Sequence, residues 1–129
     1  MVNKDLKAIK FTQLLDEGMI VPLNNIFFQF GKFALLPSSI PELKRVASIV
    51  KKSGFKVEII GHTDYIGETE MNQTLSEKRA QSVKDFFISE GCDAGKLVTK
   101  GFGERKPAST NKNEIGRAKN RRVELKFVK

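Results

Sequence analysis

The hydrophobic period of this chain switches repeatedly between that of a strand and that of a helix, and this alternation limits its fold more than any other feature. In "KVEIIGHTD" (56–64), Val57, Ile59 and Gly61 fall on one side and Glu58 and Ile60 on the other, the period-2 pattern of a strand. A long helix follows to about Glu90 and stops at Gly91, and "KLVTKGFGE" (96–104) is a second such strand running into a Gly-rich turn. "RRVELKFVK" (121–129) closes the chain, with Val123, Leu125 and Phe127 alternating against Arg122, Glu124 and Lys126. Between these strands, "RKPASTNKNEIG" (105–116) reads as a loop with one short helix after Asn113.

Upstream, "IVPLNNIFFQF" (20–30) is β-rich, with Pro22 confining its start to an edge. "GKFALLPSSI" (31–40) is a loop, and "PELKRVASIVKKSG" (41–54) a helix. Pro41 suits its first position, Ser39 its cap and Gly54 its stop, with Leu43, Val46, Ala47 and Val50 turned inward. Thr74-Leu-Ser-Glu77 has the form of a capping box, which allows a break or a second helix start near residue 74, with Ser76 as a cap residue. The order β-α-β-α-β-(α)-β implies an α/β sandwich: a mixed sheet of about four strands with helices packed on one face. Residues 1–17 read as a linker or edge segment, and 18–129 as one domain.

Composition narrows the function classes. Forty per cent hydrophobic residues, ten of them Phe, suffice for a core in 129 residues. The net charge of +8 favours a polyanionic partner, whether nucleic acid, an anionic membrane face or a carboxylate-rich wall polymer. Cys92 is the only cysteine, which excludes an internal disulfide, and it reads as a small core or helix-end residue. No apolar run approaches the ~18–20 residues of a membrane span. No signal-peptide pattern follows Met1, so the expectation is a cytosolic protein or a domain of a longer secreted chain.

One residue breaks the helical pattern of "NQTLSEKRAQSVKDFF" (72–87). At the pitch of an α-helix, Leu75 and Val83 lie about 40° to either side of Arg79, and Phe86 and Asn72 within about 20° of it. Arg79 therefore stands in the middle of the apolar stripe. A buried guanidinium needs a carboxylate or several carbonyls. Asp64 is the nearest strong candidate, standing where a strand ends and the chain turns toward this helix. Two arrangements satisfy the pattern. Either Asp64 and Arg79 form a buried ion pair that fixes the turn, or they are held apart as a receptor for a zwitterion. In the second, Arg79 takes a carboxylate and Asp64 an ammonium, with an amide contact from Asn72.

"IIGHTDYIGETEMNQTLSEKRAQSVKDFFISEG", then "GFGERKP", then "NEIGRAKNRRVELKF" resembles the OmpA-like peptidoglycan-binding domain, the module of outer-membrane porins, peptidoglycan-associated lipoproteins and flagellar stator proteins. "LNNIFFQFGKFALLPSSIPELKRVASIV" fits the same pattern, so the resemblance covers about residues 18 to 129. It implies a non-catalytic domain that binds the peptidoglycan stem peptide through the zwitterionic end of diaminopimelate. It also implies a periplasmic location, attached to the outer membrane or cell envelope, with any membrane contact made only by a preceding part of a longer chain. The family's acidic contact falls on Asp64, its arginine on Arg79, a supporting amide on Asn72 and a further site arginine on Arg121. That favours the receptor over the ion pair. Many members carry Asp or Asn in the loop after the first strand. Here the matching stretch is Phe30-Gly31-Lys32, where Gly31 leaves only backbone to touch the ligand.

Other chemistries have weaker support in the residues. His62 and Asp64 share a strand face, but no other His or Cys joins them, and zinc sites want three or four ligands. No cofactor is implied. Asp64 lacks the partner carboxylate that acid–base catalysis would use. The rival class is a basic nucleic-acid-binding module built on the Arg117–Arg122 cluster, with Phe102 as a stacking platform and Phe127 assigned to the core. No nucleic-acid-binding motif accompanies that cluster, so nucleic acid is not the expected partner.

Overall fold

The computed structural model describes residues 20–23, 26, 28–29 and 31–128. The expected N-terminal linker (1–17) and Phe30 lie outside the described residues. Strands β1 (Ile20–Pro22), β2 (Lys56–His62), β3 (Leu97–Gly101) and β4 (Arg122–Val128) form one sheet in the order β1-β4-β2-β3. β4 runs antiparallel to both β1 and β2, whereas β2 and β3 are parallel. Parallel neighbours need a long crossover, and helix α2 (Thr69–Ser89) supplies it. Helix α1 (Ile40–Ser53) precedes β2, and the short α3 (Glu114–Asn120) leads into β4.

The alternation read from the sequence sets the layers. Val57, Ile59, Leu97, Val123, Leu125 and Phe127 form the inner face of the sheet. They share one core with Leu43, Val46, Ala47 and Val50 of α1 and Ala80, Val83 and Phe87 of α2. Cys92 is buried in the same core, with its thiol 3.5 Å from the Ala47 carbonyl, and burial raises its pKa. The outer face carries charge, including a Glu58–Lys100 pair at 3.1 Å.

Three local expectations change. Among its described residues, the β-rich stretch at 20–30 yields β1 and a bridge between Phe28 and Leu35. β1 is an edge strand, the position Pro22 tolerates. Ser39 ends a short 3-10 turn and is buried, and its side chain makes no capping hydrogen bond to α1. α2 does not restart near residue 74. It is continuous from Thr69, and Ser76 is interior: its hydroxyl donates to the Gln73 carbonyl (2.7 Å) and accepts from the Gly103 N–H (2.9 Å).

Two glycines let α2 lie so close. Gly61 and Gly101 are register partners on β2 and β3, both beneath Ser76. A Cβ on Gly61 would come 2.2 Å from the Ser76 carbonyl oxygen, and one on Gly101 2.5 Å from its hydroxyl. Gly61→Ala should therefore force the helix outward and cost at least the ~1–3 kcal/mol typical of overpacking. Urea unfolding measures the loss, and Val57→Ala, a cavity in the same strand, serves as reference.

Candidate functional site

Asp64 lies two residues beyond the end of β2, in a turn fixed by its neighbours. The Thr63 N–H donates to the Gly103 carbonyl (2.8 Å) and the Thr63 hydroxyl to the Asp64 carbonyl (2.9 Å). The carboxylate is buried. Its Oδ1 accepts from the Ile66 N–H at 3.0 Å, and its Oδ2 from Arg121 Nη1 at 2.7 Å. Arg121 follows α3 directly and also donates through Nη2 to Glu114 Oε2 at 2.5 Å.

Arg79 makes no ion pair with Asp64 among the described residues. Its Nε donates to the Lys32 carbonyl (2.8 Å) and its Nη2 to the Gln29 carbonyl (3.3 Å), and its guanidinium lies 4.8 Å from the centre of the Phe28 ring. Carbonyls thus meet the need that the helical pattern raised. The remaining N–H groups of the guanidinium have no partner among the described residues. Burial lowers the Arg79 pKa most, the positive charge of Arg121 lowers it further, and Asp64 opposes both. Arg79 and Asp64 feel each other's charge while bonding elsewhere. Both line one open cleft of about 1460 Å³, together with Gly31, Asn72 and Arg121.

The other expected residues take different parts. Asn72 is buried, and its amide nitrogen lies within bonding distance of the Asp64 carbonyl (3.3 Å), the Ile66 carbonyl (3.0 Å) and Glu104 Oε1 (3.1 Å). It positions the Asp64 turn. Gly31 sits at φ +68° in a turn closed by Lys32 N–H to the Gln29 carbonyl (2.9 Å), the turn whose carbonyls Arg79 grips. Two residues escaped the sequence reading: Glu104, which meets Asn72, and Glu114, which meets Arg121. Each is one of many acidic residues in a polar loop or first helical turn, and only tertiary contact distinguishes them.

The basic cluster is engaged within the domain. Arg117 Nη1 donates to the Asn111 carbonyl (3.0 Å), and Arg122 Nε to Glu124 Oε2 (3.0 Å). Phe127 is in the core as expected, whereas Phe102 stacks on His62 with ring centres 5.7 Å apart. Among the described residues, no group of three or more His, Cys, Asp or Glu is arranged to hold a metal ion, and no helix is long and apolar enough to cross a membrane.

The family model of the OmpA family matches residues 27–121. The chain is 41% identical to the outer membrane protein A of Bordetella avium over 79% of its own length and 53% of that protein's, so it spans about half of that relative. It is 34% identical to the peptidoglycan-associated lipoprotein of Pseudomonas aeruginosa, covering 88% of this chain and 67% of the other. Among solved structures, the periplasmic domain of Helicobacter pylori MotB superposes with a TM-score of 0.77 at 25% identity, covering 88% of this chain and 78% of that one.

His62 and Glu124 also line the cleft. They are diagonal neighbours across the β2–β4 pair, where His62 faces Arg122 and Ile60 faces Glu124, and His62 Nε2 lies 2.7 Å from Glu124 Oε1. The hydrogen bond from His62 is the main reason the Glu124 pKa falls from 4.5 to about 2; burial opposes it and Arg122 adds to it. A carboxylate with a depressed folded pKa stabilises the fold above its unfolded pKa and loses that contribution as pH falls through the folded value. Stability should therefore drop as pH falls from 4.5 toward about 2. Urea unfolding across that range should show Glu124→Gln less stable at neutral pH and with a flatter acid limb.

Proposed function

The chain belongs to the OmpA family, and from that premise we propose that it is a non-catalytic module that binds peptidoglycan and ties a cell-envelope protein to the wall. The ligand is the stem peptide, held at the free zwitterionic end of its diamino acid, diaminopimelate in the first instance. Arg79 receives the carboxylate through the N–H groups that its two carbonyl partners leave unused. Asp64 receives the ammonium on the outer lone pairs of an acid already fixed by Ile66 and Arg121. The observation that carries this reading is that an acid and a guanidinium share one cleft without bonding to each other.

The names of the relatives support the same class: one is a peptidoglycan-associated lipoprotein and another structure is a periplasmic domain. The module accordingly works in the periplasm, joined to the outer membrane or envelope through other parts of a longer protein. The net charge of +8 adds a nonspecific attraction to an anionic wall, and that part weakens with salt.

Sedimentation with insoluble peptidoglycan tests the site. Asp64→Ala and Arg79→Ala should each abolish co-sedimentation while the circular dichroism spectrum stays folded. If both variants sediment as well as the native chain, the site is elsewhere on the surface. Released wall fragments during the same incubation would overturn the non-catalytic reading.

A further inference from the structure

Glu114 covers the part of Arg121 that a bound carboxylate would use. Its Oε2 lies 2.5 Å from Arg121 Nη2 and its Oε1 3.5 Å from Nη1, a two-pronged approach to the end of the guanidinium. Asp64 takes Nη1 as well, at 2.7 Å. Both terminal nitrogens of Arg121 are thus occupied by the protein's own carboxylates.

These two carboxylates are not held alike. The Asp64 side chain is only 7% exposed and is anchored by the Ile66 N–H. Glu114 is 65% exposed, and its carboxylate is held from outside the backbone, by the guanidiniums of Arg121 and Arg117. A second cation stands beside it. Arg117 Nε is buried without a hydrogen-bond partner, and it lies 3.4 Å from Glu114 Oε1, at ion-pair distance but without hydrogen-bond geometry. Arg117 is itself anchored through Nη1 to the Asn111 carbonyl, so it is a fixed donor for a moving carboxylate.

We propose that Glu114 is a displaceable internal competitor: it bridges Arg121 and Arg117 when the cleft is empty and withdraws onto Arg117 when an incoming carboxylate takes its place on Arg121. The idea builds on the assignment of this cleft as the binding site, and it adds a specificity-setting residue. Beyond the carboxylate taken by Arg79, a ligand gains from Arg121 only through a carboxylate able to outcompete Glu114, so neutral or purely cationic groups gain nothing there. Arg117 lowers the cost of the exchange, because the displaced carboxylate keeps the ion pair it already makes with Arg117 Nε at 3.4 Å and can close it to a hydrogen bond.

Acetate provides a probe that does not depend on peptidoglycan. Its binding to the intact chain is followed through the Arg121 side-chain resonances by NMR. Glu114→Gln should tighten acetate binding at Arg121 by roughly twofold to fivefold, the range expected for loss of an exposed ion pair. Arg117→Gln, which removes the alternative partner, should weaken it. Unchanged or weaker binding in Glu114→Gln would overturn the proposal and make Glu114 a support for Arg121. Sedimentation of the same variants with peptidoglycan separates the two ideas. If the native chain ignores the wall while Glu114→Gln still tightens acetate binding, the assigned function fails and the competitor role stands.

Discussion

The close seating of α2 on β2 and β3 is the contact on which the rest of the molecule depends. Gly61 and Gly101 place no side chain beneath Ser76, so the helix backbone rests directly on the sheet. Ser76 then ties the helix to the turn after β3 by accepting from the Gly103 N–H. Asn72 lies one turn before Ser76 and Arg79 about one turn after it, on the same side of the helix. Close packing at one point therefore sets two cleft residues beside the end of β2, where the Asp64 turn begins. A rigid scaffold holding polar groups on loops is the usual arrangement for a recognition site.

The electrostatics of the cleft follow from how each charge is satisfied. Asp64 is neutralised by Arg121, which arrives from the far end of the chain, and not by the arginine nearest to it in sequence. Arg79 relies on two carbonyls of the Gln29–Lys32 turn and on the Phe28 ring. Carbonyl dipoles stabilise a cation without cancelling its charge, so Arg79 keeps a field that an anion can use. Its lowered pKa reflects that position, with burial and the neighbouring Arg121 both acting against the cation. Arg121 is the reverse case, raised first by its hydrogen bond to Glu114 and helped by Asp64, with burial opposing. The cleft thus holds two guanidiniums matched by acids, Arg121 and Arg122, and one, Arg79, matched by neutral groups.

The layers of the fold were legible because they rest on local periodicity. Val57 and Ile59, or Val123, Leu125 and Phe127, alternate so plainly that each strand's inner face could be named, and all five are buried. The helix stop at Gly54 was likewise readable, because its left-handed backbone at φ +68° suits glycine. The capping-box pattern at Thr74–Glu77 misled, since Ser76 accepts from a turn 27 residues away and not from its own helix. The stretch at 20–30 has strand-forming residues, but among the described ones only Ile20 to Leu23 bond to β4, and strand propensity does not extend a strand that finds no further partner there.

The sequence by itself determined the order of elements, the buried face of each strand and the anomaly of a cation in an apolar stripe. These are consequences of side-chain spacing along one chain, and a periodic backbone turns spacing directly into direction. Tertiary structure alone decided who meets whom. Arg121 joins Asp64 across 57 residues, Arg79 reaches the Lys32 carbonyl across 47, and Asn72 reaches Glu104 across 32. Partners at such separations depend on how sheet, helix and turns close together, and hydrophobic periodicity carries no record of that closure.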